Sequence, residues 1–311
     1  YTGTGTETDG GGLVSGEKDI DLEAKLSDAE RRVSEALVKL NLVGRRRIQT
    51  SYSALAHGHQ ESSDLGGRRT PDDDSIFSII EEKPDALSSL LLPAGKHTGS
   101  ALHEILEEAI SHKGGIGWAS DGEIPGFLKE KAIEILRFYG IAADKPGEDG
   151  SKVIEHALIL VRWALSSIYS VPEFGDICLS NLGTTDMRAE AEFHLGAYPH
   201  WVLGYMDLVF RVKNTDGSYR YFVLDWKSNW LPDYDKASIE SSVMESRYDL
   251  QAKVYCHGLH SWLGGLLGAD YDPSRNLGGA VYVYLRGLEQ ERGNPVWFYK
   301  AEPESDTLFV K

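Results

Sequence analysis

Apolar residues recur at helical spacing in several parts of the chain. Leu22, Leu26, Ala29, Val33, Ala36, Leu37 and Leu40 predict a helix over residues 20–43, closed by Gly44. The Gly- and Thr-rich stretch before it, residues 1–17, is expected to be disordered. Residues 60–75 are polar and read as a loop. Helices are predicted over 99–112, over 126–139 with a stop at Gly140, and over 151–169, where Val153, Ala157, Leu160, Val161, Ala164 and Ile168 form one stripe. A single long helix is predicted over 241–266.

Between the last two helices the period changes from 3.6 to 2. Residues 188–195, 201–210 and 221–227 read as strands, and Asp216-Gly217 between the last two is a strong hairpin turn signal. Gly279 to Leu285 is apolar throughout, the pattern of a strand covered on both faces, and Val296–Tyr299 reads as a final strand. Helices, a strand cluster, one more helix and more strands predict an α/β fold with a mixed central sheet flanked by helices.

The hairpin carries the chemistry. Asp225 and Lys227 are two apart on a strand and project to one face, and Asp207 is a carboxylate inside an apolar run. An unpartnered carboxylate there is costly, which favours a site over an edge salt bridge. Two carboxylates hold a hard cation, the cation activates water and polarises a phosphate, and a lysine stabilises developing charge. Glu190 and Glu192 share one strand face just upstream and either could join. His103 lies on a helical face with Leu106 and Ile110, where a lone histidine is more often a hydrogen-bonded core residue than a ligand. His103-Glu104 does not continue as a zinc-protease motif, because residue 107 is Glu. Gln251 and Tyr255 are four apart on one helix face, and a glutamine in that apolar stripe suits the orientation of a water or a phosphate.

Composition narrows the picture. The chain has 311 residues, 41% of them hydrophobic, ample for a full core. It carries 32 basic and 48 acidic residues, net −16, which argues against capture of nucleic acid by broad electrostatics without excluding a nuclease to which DNA is delivered. No apolar run reaches the roughly 20 residues of a membrane helix. No basic-then-apolar signal peptide opens the chain, and a start at Tyr1 suggests a piece of a longer protein. Cys178 and Cys256 lack metal-type spacing, so a reduced, cytoplasmic compartment is expected. There is no phosphate-cradling P-loop and no nucleophile elbow.

Taken together, these motifs resemble the RecB nuclease domain of the PD-(D/E)xK nuclease superfamily. Gly204-Tyr205-Met206-Asp207-Leu208-Val209-Phe210-Arg211 resembles the family's G-x-x-D-L-V-F-R. Leu224 to Leu231 resembles L-D-Y-K-S-N-W-L, with Trp226 in place of Tyr. Arg247 to Gln251 with Tyr255 resembles R-Y-D-L-Q-x-x-x-Y, while Gly279 to Tyr282 and Leu285-Arg286-Gly287 resemble the closing motifs. Thr50 to Ser53 resembles the segment where the nuclease domain begins.

The resemblance implies a restriction-endonuclease-like core over residues 46–311 and a linker or tail of a helicase region over 1–45. It implies a Mg²⁺-dependent deoxyribonuclease of the exodeoxyribonuclease V type, with Mn²⁺ as a substitute ion and no nucleotide site in this chain. His103, Asp207, Asp225 and the carbonyl of Trp226 become metal ligands, Lys227 the catalytic lysine, Glu190 the acidic residue of the preceding strand, and Gln251 and Tyr255 supporting or DNA-contacting residues. Implied partners are single DNA strands delivered by a helicase and RecC-like and RecD-like subunits, in a bacterial cytoplasm and away from membranes. Two other readings stay open, a partner-docking domain that kept the fold without catalysis and a stand-alone nuclease of the same superfamily.

Overall fold

The computed structural model describes residues 48–51, 92–141, 148–195, 200–289 and 295–302; side chains of 48–51, 148–149 and 200–202 lie outside the description. The helix expected over 20–43, the stretch 1–17 and the loop 60–75 all fall outside the described residues. In chain order the elements are β1 (Ile48–Ser51), α1 (Lys96–Ser111), the short α2 (Trp118–Asp121), α3 (Gly126–Phe138), α4 (Glu148–Ser166), β2 (Tyr169–Val171) and β3 (Gly175–Ile177). They continue with β4 (Met187–Leu195), β5 (His200–Lys213), β6 (Tyr219–Lys227), α5 (Lys236–Glu245), α6 (Tyr248–Leu267), the short α7 (Pro273–Asn276), β7 (Leu277–Tyr284) and β8 (Val296–Lys300).

The main sheet is mixed. β4 and β6 flank β5 antiparallel, β7 runs parallel to β6, β8 antiparallel to β7, and β1 lies parallel to the start of β5. β6 pairs with the C-terminal half of β5 from Leu208–Leu224 to Lys213–Tyr219, whereas β1 pairs with His200–Leu203. The strands therefore fork beside Asp207.

Each face of the sheet carries its own helical layer. Leu208, Phe210, Phe222, Leu224, Trp226, Val281 and Val283 pack with α1, α3 and α4 in one core. Val209, Tyr221, Val223, Tyr282 and Tyr284 pack with α5 and α6 in the other. All eight residues of β7 are buried, as its unbroken apolar run predicts.

Local chemistry accounts for most boundaries. α1 buries Ala101, Leu102, Ile105, Leu106, Ala109 and Ile110, a 3–4-residue stripe. α3 stops where Gly140 takes a left-handed φ of 72°, which lets the Gly140 and Ile141 amides bond back to Arg137 and Leu136. The hairpin turn forms at Asp216-Gly217, with Gly217 at φ 87° and its amide donating to Asn214.

Two expectations are corrected. The helix over 151–169 ends at Ser166, so Ile168 stands 65% exposed beyond the stripe. The long helix over 241–266 is two helices, divided at Ser246-Arg247, where Arg247 adopts φ 58°. No glycine or proline marks that break. Among the described residues no helix is long and apolar enough to cross a membrane.

Arg286 ties the first layer to the end of β6. Its guanidinium is buried and donates to the carbonyls of Ser228 (3.0 Å), Leu92 (3.1 Å) and Pro93 (2.8 Å). Arg286→Met would leave three carbonyls without this donor, so urea denaturation is expected to show a loss of about 2–4 kcal/mol. Arg286→Lys is expected to recover only part of it, since an ammonium lacks the planar fork.

Candidate active site

Where β5 and β6 part, backbone groups of β6 lose their ladder partners and side chains take over. Leu208–Leu224 is the last pair of the β5–β6 ladder, and Asp207 and Asp225 are the next residue of each strand, at the fork. The Trp226 amide donates to Asp207 Oδ2 at 2.9 Å. The Trp226 carbonyl accepts from His103 Nε2 at 2.7 Å, and His103 Nδ1 lies 3.2 Å from the same Asp207 oxygen. The carbonyl can only accept, so the ring carries a proton on Nε2 and turns Nδ1 toward Asp207.

At Gly99, α1 packs against Ser228, just past the end of β6. A Cβ built there would meet Ser228 Oγ at 2.7 Å, and His103 is one turn further along the same helix face.

Asp225 and Lys227 face the other layer. Each is about 2% exposed, and Lys227 Nζ lies 2.8 Å from Asp225 Oδ2. That distance makes a close, charge-assisted ion pair. Lys227 also donates to Gln251 Oε1 at 3.1 Å. Gln251 is held in turn by Tyr255, whose hydroxyl accepts from Nε2 at 3.0 Å, and by Tyr282, whose hydroxyl donates to Oε1 at 3.0 Å. The sequence therefore brings together His103, Asp207, Asp225, Trp226, Lys227, Gln251 and Tyr255.

Glu190 sits differently. It lies across from Asp207 in register, but the two make no ladder pair, and Glu190 adopts a left-handed φ of 47°. Around this point the strands change faces. Met187 and Ala189 belong to the first core, whereas Ala191, Phe193 and Leu195 belong to the second; on β5, Leu208 belongs to the first and Met206 to the second. The strict two-residue alternation read from sequence fails here. Glu192 turns to His194 (2.5 Å) and to Tyr205 (3.2 Å).

Two site residues were not singled out from sequence. Lys227 Nζ lies 3.8 Å from the ring centre of Tyr248 and 5.3 Å from that of Tyr282. A usable signal existed for Tyr248, which precedes Gln251 by three and Tyr255 by seven, on the same face of α6.

Burial pushes the Asp225 carboxyl up to about 7, helped by the nearby Asp207 charge and opposed by Lys227 and His103. The donor set is mostly oxygen, two carboxylates and a backbone carbonyl, and suits a hard cation. Among the described residues no three His, Cys, Asp or Glu side chains gather closely enough to hold a metal ion. A cation would therefore draw on the two carboxylates, the Trp226 carbonyl and water.

No family model matches the chain. Among curated proteins, RecBCD enzyme subunit RecB of Escherichia coli (strain K12) is 26% identical over 277 residues, which cover 78% of this chain and 21% of that protein. The same subunit of Mycobacterium tuberculosis (strain ATCC 25618 / H37Rv) is 25% identical over 287 residues, covering 77% and 25%. That of Haemophilus influenzae is 33% identical over 107 residues, covering 33% and 8%. The chain carries a RecB-related domain. It spans about a fifth to a quarter of the length of the first two relatives.

The raised Asp225 carboxyl gives this RecB-related domain a pH signature. An acid that holds its proton more tightly when folded favours the fold at low pH, and that advantage fades as pH rises from the ordinary carboxylate range to about 7. In urea titrations without metal, the parent is expected to lose stability relative to D225N over that window, with a flat difference above it. A pH-independent difference would mean that Asp225 titrates normally.

Proposed function

We propose that this chain is a metal-dependent DNA nuclease domain of the kind found in a RecBCD-type enzyme, hydrolysing phosphodiester bonds during break repair and recombination. The observation that carries the reading is the pair of carboxylates, Asp207 and Asp225, brought together just past the end of the β5–β6 ladder beside a buried lysine. The likeness to RecB subunits supports it from the sequence side.

Asp207, Asp225 and the Trp226 carbonyl would hold Mg²⁺, or Mn²⁺ in its place. His103, already within hydrogen-bonding reach of two of these groups, is the fourth candidate ligand. The bound ion supplies Lewis-acid activation of water and neutralises phosphate oxygens. Lys227 presents its ammonium beside Asp225, where it stabilises negative charge developing on the attacked phosphate or on the nucleophile. Gln251, fixed by Tyr255 and Tyr282, keeps that ammonium in place. Glu190, opposite Asp207, supplies a further acidic group at the strand fork.

The proposed substrate is a DNA strand delivered by a helicase, within an assembly that includes RecC-like and RecD-like subunits. The charge of −16 supports delivery over capture, because a chain with so few clustered cations gains little from counterion release.

The test is degradation of linear single-stranded DNA in Mg²⁺ by the parent, Asp225→Ala and Lys227→Ala. Activity in the parent and a loss of about 100-fold or more in each variant is expected. Mn²⁺ is also expected to raise the melting temperature of the parent, more at pH 8 than at pH 6 because the ion must displace the Asp225 proton, and to leave Asp225→Ala unchanged. Equal melting shifts in parent and variant, with no cleavage by either, would leave a docking module as the better account.

A further inference from the structure

We propose that Tyr248 is a positioning residue for Lys227, holding the ammonium by its ring and the following chain by its hydroxyl. The inference rests on the nuclease reading for its consequence and on geometry for its substance.

A lysine has four freely rotating side-chain bonds and a strongly hydrated head, so a buried ammonium keeps one position only where its surroundings fix it. Asp225 and Gln251 fix Lys227 Nζ from two directions, at 2.8 and 3.1 Å. Tyr248 closes a third, with its ring centre 3.8 Å from Nζ, where the negative face of the π system attracts the charge. Tyr282 stands further off, at 5.3 Å, and its ring stacks on Tyr248 at a centroid distance of 5.8 Å and an angle of 29°. Tyr282 therefore backs the Tyr248 ring as well as orienting Gln251.

The hydroxyl does separate work. Tyr248 OH donates to Asn229 Oδ1 at 3.1 Å, and Asn229 is two residues beyond Lys227. One side chain thus grips both the head of Lys227 and the chain that leaves it. The break at Arg247 makes this possible, since the left-handed residue starts α6 directly at Tyr248. Tyr248 does not touch a reacting atom. Its effect runs through Lys227, and misplacing that ammonium lowers turnover without weakening substrate binding.

Tyr248→Phe and Tyr248→Leu separate the two roles in the full chain. With saturating Mg²⁺ and single-stranded DNA, Tyr248→Leu is expected to lose about tenfold or more in kcat at unchanged KM. Tyr248→Phe is expected to stay within about threefold of the parent, because the ring remains. A parental kcat in folded Tyr248→Leu overturns the proposal, while an inactive parent overturns the nuclease reading instead.

The geometry has its own readout that needs no activity. In protein carrying ¹³C-labelled lysine, the ε-methylene protons of Lys227, identified by their loss in Lys227→Arg, should resonate upfield of ordinary lysines through the ring current of Tyr248. The shift should persist in Tyr248→Phe and collapse in Tyr248→Leu. An ordinary lysine position in the parent overturns the proposal, whether or not DNA is cleaved and whether or not Tyr248→Leu folds.

Discussion

Burial of the Asp225–Lys227 pair between two apolar layers is the constraint on which the rest of the structure turns. Removing two charges from water is costly, and their mutual attraction offsets this only when other groups complete the geometry. The surrounding elements do so. β7 brings Tyr282, α6 brings Tyr248 and Gln251, and the hydroxyls of Tyr255 and Tyr282 set the glutamine's orientation. Three tyrosines of the second core, Tyr248, Tyr255 and Tyr282, thus serve the lysine as well as the packing.

The second device is the change of faces at Glu190 and Asp207. A regular antiparallel pair would keep odd residues of β4 and even residues of β5 each on one side throughout. The left-handed Glu190 breaks that rule, and the β5–β6 ladder ends at the neighbouring position. The opening leaves the Trp226 amide to Asp207 and its carbonyl to His103 of the first layer, while Lys227 turns to the second. His103 arrives from α1 and the aromatic group from α6, so the site joins the two cores at one strand end. Non-glycine residues with positive φ cost of order 1–3 kcal/mol and persist where the surroundings over-determine them. Glu190 and Arg247, two of the three such residues among those described, both flank this site.

Most of the fold could be read in the sequence because its main signals are periodic or local. The stripe of α1, the stop at Gly140, the Asp216-Gly217 turn and the continuous apolar run of β7 each state their own geometry. The Asp225–Lys227 pairing was legible for the same reason, two residues apart on one strand. The break at Ser246-Arg247 was not, since neither residue is a helix breaker; its cause is tertiary, the need to aim Tyr248, Gln251 and Tyr255 at β6. The face change was not legible either, because a parity rule contains no term for a left-handed glutamate. His103 read as a plain core residue on its helix face. Only the resemblance marked it as a ligand, and the structure sets its ring against the Trp226 carbonyl, 123 residues away.

The same arrangement ties folding to ligand chemistry. Burial holds the Asp225 carboxyl protonated up to about 7, and repulsion from Asp207 across the fork adds to it. His103 and Lys227 offset part of that repulsion from opposite sides of the sheet. What remains is a charged pair taken almost wholly out of water, a cost that a well-packed apolar pair would not incur. Such a cost persists sensibly where a positive ligand relieves it, because any species that binds the folded state alone returns its binding free energy as stability. On the nuclease reading, the feature that makes this core less stable than it could be is the one that prepares it for a cation.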